Sequence, residues 1–392
     1  MALFLHFGPN TFTDSDWGTG HVNPTRLNSS QWVHVAKEAG FSRLILTAKH
    51  HDGFCLWPSE YTDYSVKASP WRNGDGDVVA ELASAAKEAS IALGLYLSPW
   101  DRHEYCYGKT VECNEFYMGQ MTELLTRYGD IKEVWLDGAK GEGGKDMEYY
   151  FDTWFSLIRQ LQPGAVIYSD AGPDTRWIGD EAGVAGSTCW SIFNRSNAAI
   201  GGTDPQYSQG GDPLGHDWVP AECDVSIRPG WFWHASLVPK SAFKLLDIYY
   251  KSAGRNCLLL LNVPPNSSGL ISDEDIQVLQ EFKELRRSIF SNNLADNGLL
   301  NASSIRGGNG NSQFSPYYVL EEIREPIHIG QRILKFHVEI LSRGRWKNVI
   351  NGTTVGYKRL LQFPTVQSQY LKFVIDKSRA DPLISSVGIH VD

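Results

Sequence analysis

The run Ile131-Lys132-Glu133-Val134-Trp135-Leu136-Asp137-Gly138 reads as a buried strand whose last polar residue, Asp137, stands where the strand opens into a loop. In a barrel of parallel strands that end is the catalytic face. Asp-Gly alone is a common turn, so the carboxylate gains meaning only from groups that could join it. Glu181 is one, in the Trp- and Gly-rich segment Arg176-Trp177-Ile178-Gly179-Asp180-Glu181. Two carboxyl groups, one ionised and one protonated, cleave a glycosidic bond when they flank it. Three histidines also fall at the ends of expected strands: His6 after the first, His50 and His51 after the second. Imidazoles so placed can hydrogen-bond sugar hydroxyls. Metal binding is the lesser reading, because adjacent residues on a strand face opposite ways and a barrel site needs ligands at alternate positions. The six cysteines form no Cys-X-X-Cys pair and no zinc spacing. No metal and no cofactor is expected.

These groups must be held by something. Short apolar runs alternate with amphipathic stretches, the pattern of a parallel α/β fold. Strands are predicted at Leu3–Phe7, Arg43–Ala48, Ala92–Ser98, Glu133–Asp137, Ala165–Ser169 and Asn256–Val263, with weaker ones near Cys189 and at Cys223–Ile227. Helices are predicted at Ser30–Ala39, Asp77–Ser90, Glu115–Tyr128, Met147–Leu161 and Ser241–Ala253, with Ser30 and Asp77 as N-caps and Gly40 as a C-cap. Eight strands and their helices make a (β/α)8-like TIM barrel over residues 1–291, closed by an amphipathic helix at Asp273–Ser291. Asn194–Gly215, rich in Gly, Ser and Asp, reads as a long loop over the barrel mouth. After Asn292 the period changes to alternation, as in Ile333–Ile340 and Tyr370–Ile375, which predicts a C-terminal β-sandwich over 292–392.

Composition bounds the partners. A net charge of -9 argues against nucleic acid or an anionic membrane surface, and no run is long and apolar enough to span a bilayer. Thirteen tryptophans suit sugar stacking, though Trp also fills cores. Asn-X-Ser/Thr sequons stand at Asn28, Asn194, Asn266, Asn301 and Asn351, each a possible glycan acceptor. Cys106 and Cys113 are close enough in sequence to bridge a loop, without the sequence deciding it. Met1–Gly8 runs straight into a strand with no signal peptide, as expected of a chain shortened relative to a secreted precursor.

Five ordered segments carry a family resemblance: His6–Phe12, Lys49–Phe54, Trp135–Gly138, Arg176–Glu181 and Pro220–Trp231. Together they resemble the signature segments of α-L-fucosidases of glycoside hydrolase family 29, of plant type. The resemblance implies a retaining exo-glycosidase that removes terminal α-L-fucose from oligosaccharides or glycoprotein N-glycans by double displacement. It implies Asp137 as nucleophile and Glu181 as acid/base, and the Arg176–Glu181 segment resembles the branch acting on α-1,3/1,4 linkages. His6, His50, His51, Trp57, Trp135 and Trp231 would then line the fucose pocket, with Asp16, Trp17 and Glu222 as further candidates. The full-length family form would be secreted, to the apoplast in plants. The chain departs from the family before the first strand, where a helix and secretion signal are missing. It departs again between Tyr317 and Ile323, where the C-terminal discoidin-like sandwich is expected to be shortened. The competing readings are a fucose-binding, lectin-like protein with little or no turnover, and a metal-dependent barrel hydrolase. The oligomeric state is not legible.

Overall fold

The structure, a computed structural model, describes residues 1–15, 17–138, 144–308, 310–320 and 330–391. Eight strands form one parallel sheet: β1 (Ala2–Leu5), β2 (Arg43–Lys49), β3 (Ala92–Leu97), β4 (Glu133–Trp135), β5 (Val166–Tyr168), β6 (Arg176–Trp177), β7 (Ala221–Ser226) and β8 (Cys257–Asn262). The order is β5-β4-β3-β2-β1-β8-β7-β6, and a parallel bridge from Tyr168 to Thr175 joins its two ends. The sheet is thereby nearly closed into a barrel, which leaves almost no free edge.

Alternation along the strands sorts side chains between two cores. Leu3, Leu5, Leu44, Leu46, Leu93, Leu95, Val134, Ile167, Leu259 and Leu261 face outward into the main apolar layer under the helices. The inward set, Phe4, Ile45, Tyr96, Trp135, Tyr168 and Leu260, fills the barrel. That filling is largely aromatic: Trp135 stacks on Tyr168 at 3.9 Å and on Tyr96 at 5.3 Å. Inward Arg43, Glu133 and Glu222 lie one layer deeper, with Arg43 paired to Glu133.

The longer helices, those of ten residues or more, are α1 (Ser29–Glu38), α2 (Val78–Glu88), α3 (Thr110–Arg127), α4 (Phe151–Leu161), α5 (Ala242–Lys251) and α6 (Asp273–Phe290). Asp77 caps α2 by accepting from the Ala80 N–H at 2.8 Å, as predicted. For α1 the cap is Asn28, which accepts from the Gln31 N–H at 3.1 Å, so the helix begins before the predicted Ser30. Gly40 takes φ +84 just past α1, the left-handed conformation expected after a helix end.

One strand was misplaced by the sequence reading. The sixth barrel position belongs to Arg176–Trp177, not to the neighbourhood of Cys189. The Cys189 region leads instead into an antiparallel ladder of Ile192–Phe193 with Asp217–Trp218, outside the barrel. Two residues are too few to show alternation in a sequence. Cys223 and Cys257 form a disulfide between β7 and β8, while the Cys106 and Cys113 thiols face one another at 2.7 Å.

Beyond α6, the described residues form a three-stranded antiparallel sheet of β9 (Ile333–Ser342), β10 (Arg345–Gly352) and β11 (Leu371–Ser378), with β9 central. It rests on the barrel through bonds such as Tyr357 N–H to Asn256 Oδ1 at 2.7 Å and Gln331 Nε2 to Cys189 O at 3.1 Å. The predicted shortening between Tyr317 and Ile323 falls partly on 321–329, outside the described residues. No described helix is long and apolar enough to cross a membrane.

Candidate active site

The polar groups singled out in the sequence converge where the strands end at their carboxyl termini. Asp137 lies two residues past β4 and is the inward successor of Glu133 and Trp135. The Tyr96 O–H donates to Asp137 Oδ2 at 2.9 Å, and His51 Nε2 stands 3.5 Å from the same oxygen. His51 Nδ1 lies 2.6 Å from Ser98 Oγ, whose own hydroxyl donates to the Trp100 carbonyl at 2.6 Å. That chain places the Nδ1 proton on the ring and turns Nε2 toward Asp137. Burial lowers the pKa of His51, while the Asp137 charge works the other way.

His6 is fixed similarly. Its Nδ1 meets Asn262 Oδ1 at 2.9 Å, and Asn262 Nδ2 donates to Ser226 Oγ and the Trp231 carbonyl. Asn262 thus shows its oxygen to His6, which must donate from Nδ1 and keep Nε2 as an acceptor. Burial pushes the His6 pKa down to about 3, so the ring is neutral. His50 is also held well below its ordinary value, first by burial and then by His51 and His6. It stacks on Tyr96 at 5.7 Å, and its buried Nδ1 has no partner among the described residues. A buried polar atom without a partner costs free energy, and a ligand hydroxyl could relieve it.

Glu181 stands exposed at the rim, four residues beyond β6. Loss of hydration raises its pKa, a hydrogen bond from Trp231 opposes this, and the Asp137 and Asp180 charges add to the rise. Asp180, the rival in sequence, is occupied in shaping the loop. Its Oδ1 accepts from the Ala182 and Val184 N–H groups, and its Oδ2 from Gln209 Nε2 at 2.8 Å. Arg176, fully buried, donates to the carbonyls of Ser208, Val219 and Trp190, fastening the long loop to β6. Gly179 has φ +101, and a Cβ there would meet the Pro205 carbonyl oxygen at 2.5 Å, so only glycine lets the strand exit pass beneath that loop.

Trp231 joins the site, stacking on His6 at 4.9 Å. Trp135 is buried beneath Asp137 as the pocket's floor, its indole N–H without a partner among the described residues. Trp17 is 54% exposed and lies nearly parallel to His51 at 5.9 Å, an aromatic face turned to the mouth. Its neighbour Asp16 is outside the described residues. Trp57 does not belong with them. It is 0% exposed in the layer between barrel and helices, and its indole N–H donates to Glu123 Oε2 at 2.8 Å. Glu222 also lies away from the mouth, buried beside Glu133, with its pKa pushed up by burial first and that carboxylate next.

Several groups escaped the sequence reading: Tyr96, Ser98 and Asn262, which orient Asp137 and the histidines, and two more carboxyl groups. Asp224 is buried on β7, its pKa raised well above the usual range by burial and then by Glu181. Asp170, two residues past β5, accepts from the Gly201 N–H at 2.8 Å, and its pKa is pushed up to about 6 by burial and then by Asp137. A polar residue at an inward position near a strand's end was the signal available for both. A separate cavity of about 390 Å³, lined by Tyr149, Tyr150, Phe151, Arg195 and Ile200 among others, includes neither Asp137 nor Glu181. Among the described residues no three His, Cys, Asp or Glu side chains gather to hold a metal ion.

An Asp bonded by a phenol hydroxyl, near a carboxyl group with raised proton affinity and among buried imidazoles and tryptophan faces, suits cleavage of a sugar acetal. The family model for alpha-L-fucosidase matches residues 6–285. The chain belongs to the alpha-L-fucosidase family. It is 68% identical to Alpha-L-fucosidase 1 of Arabidopsis thaliana, over all of this chain and 85% of the relative. It is 62% identical to a rice protein named as an alpha-L-fucosidase 1, over all of this chain and 83% of that one. The crystal structure of SpGH29 superposes with a TM-score of 0.93 at 39% identity, covering 99% of this chain and 95% of that one. A Ruminococcus gnavus GH29 fucosidase in complex with fucose superposes at 0.84 and 32% identity, covering 100% and 92%. The protein is thus an alpha-L-fucosidase glycoside hydrolase with a barrel and a C-terminal antiparallel sheet domain.

Proposed function

We propose that this fucosidase is a retaining exo-hydrolase working by double displacement on terminal α-1,3/1,4-linked L-fucose of branched oligosaccharides or glycoprotein glycans. The carrying observation is the pairing at one barrel mouth of Asp137, held by Tyr96 and His51, with Glu181, whose proton affinity is raised. In the first step Asp137 attacks the anomeric carbon while Glu181 protonates the departing oxygen. In the second, Glu181 as carboxylate takes a proton from water, which displaces Asp137 from the sugar. Retention by this route needs the two carboxyl groups about 5–5.5 Å apart around the bound sugar. His6, His50 and His51 address the hydroxyls, and Trp231 and Trp135 border the ring. Branched-glycan preference rests on the resemblance of the Arg176–Glu181 segment alone. The lectin-like reading is not favoured, since a binder gains nothing from a protonatable carboxyl group opposite an ionised one.

Incubation with a Lewis-type trisaccharide, followed by proton NMR, tests the reading. It expects free fucose appearing first as the α anomer. First appearance as the β anomer contradicts retention, and cleavage confined to α-1,2-linked fucose contradicts the linkage assignment.

The same proposal places the full-length protein outside the cell and divides it near 291/292, with the second domain shortened. The Cys223–Cys257 disulfide suits an oxidising compartment, and sequon residues Asn28, Asn301 and Asn351 are exposed. The end of α6 at Phe290 suits the division. The plant alignment runs over 431 positions against 392 residues here, so the relative has segments without a counterpart.

A further inference from the structure

Strand β5 pairs with β4 in the register Trp135 with Tyr168, so two residues further on Asp170 stands level with Asp137. Its carboxylate accepts the N–H of Gly201, on the loop crossing the mouth, at 2.8 Å and lies directly against Gly138, the residue after Asp137. Gly138 is pressed between the Asp170 carboxyl group and the Gly201 backbone. A Cβ on Gly138 would lie 2.5 Å from Asp170 Oδ2, and a Cβ on Gly201 would lie 2.5 Å from the Gly138 carbonyl oxygen. Gly201 also has φ +76, so both glycines serve the approach. The ladder does not need this contact, since the Leu136 N–H already bonds the Tyr168 carbonyl at 3.1 Å.

We infer that Asp170 is a positioning residue for the nucleophile: its carboxylate clamps Gly138 to Gly201 and so fixes the direction from which Asp137 meets the sugar. The inference rests on Asp137 as nucleophile. A second carboxylate beside the attacking one is costly, because like charges repel in a poorly hydrated site. That repulsion is relieved when Asp137 loses its charge in bonding to the anomeric carbon, so the clamp also favours the first step. The pKa of Asp170, raised by burial and by Asp137, reflects the same proximity.

The test is the limiting rate constant for inactivation of the whole chain by a 2-deoxy-2-fluoro-L-fucosyl fluoride, which traps the covalent intermediate. Each folded site is read at its own rate, so misfolding lowers the trapped fraction and not the rate constant. Asp170→Ala is expected to slow trapping about a hundredfold, the usual cost of a misplaced reacting group. Its inhibition constant for fucose should stay within about threefold of the parent's, since the sugar contacts are elsewhere. Asp170→Asn, which keeps one acceptor oxygen, should recover part of the rate. Gly201→Ala should slow trapping without touching Asp170. Should Asp170→Ala fail to fold, the other two variants decide. Parental rate constants in the folded variants overturn the clamp and leave the nucleophile in place. Parent enzyme labelled elsewhere than Asp137 removes both.

Discussion

Glu181 and Asp137 carry the same functional group, and the mechanism proposed above gives them opposite tasks that their different surroundings support. Asp137 receives the Tyr96 hydroxyl at 2.9 Å, a hydrogen bond that suits a carboxylate acceptor. Glu181 loses hydration and looks toward two other carboxylates, which favours the acid. A raised pKa keeps Glu181 protonated to higher pH, so activity should fall as pH rises through that value and the donor is lost. Glu181→Gln should flatten this basic limb and leave the acidic limb, which needs an ionised nucleophile. The same variant should lose orders of magnitude on a Lewis-type oligosaccharide and far less on an aryl fucoside with an acidic phenol, which departs without a proton. Equal losses on both substrates would move the role to another group, Asp224 first. Trp17→Ala should raise KM by up to about tenfold, in line with the value of one aromatic face, with kcat little changed. An unaltered KM would make Trp17 a bystander.

At the scale of elements, local sequence showed some partners and hid others. That Asp137, Glu181 and the three histidines would lie at one barrel mouth was legible because each stands at a strand exit inside a contiguous motif. Tyr96 was not, since within Ala92–Leu97 it reads as one more inward filler. Asn262 was hidden likewise at the end of β8. Their roles arise from which strands lie side by side, and closure of the sheet decides that. Trp57 shows the reverse error: it shares a segment with His50 and His51, but the chain turns it outward under α3, onto Glu123. Trp57→Phe should therefore leave KM unchanged and cost about 1–3 kcal/mol of stability, the usual price of taking a partner from a buried polar group. Thermal melting and steady-state kinetics together check this. A raised KM at unchanged melting temperature would return Trp57 to the pocket.

For the whole molecule, the legible part was the class. Alternating apolar and amphipathic segments predict a parallel barrel, as observed, and the change of period after Asn292 predicts a β-sandwich, of which the described residues show one three-stranded antiparallel sheet. The two-residue strand β6 was not legible, because its position comes from pairing with β7 and from Arg176 binding three loop carbonyls. The chemistry proposed needs only this chain's carboxyl groups, so prolonged dialysis against a strong chelator should leave fucose release unchanged. A loss restored by zinc or manganese would revive the metal-dependent reading.

All of these expectations depend on Asp137 bonding to the sugar. The direct measurement is mass spectrometry of peptides from the protein inactivated with a 2-deoxy-2-fluoro-L-fucosyl fluoride. The account predicts one fluorofucosyl group per chain, on Asp137 in the peptide spanning Val134–Gly138. A label on Asp170, Asp224 or Glu181 would contradict it, as would full hydrolytic activity without any covalent adduct.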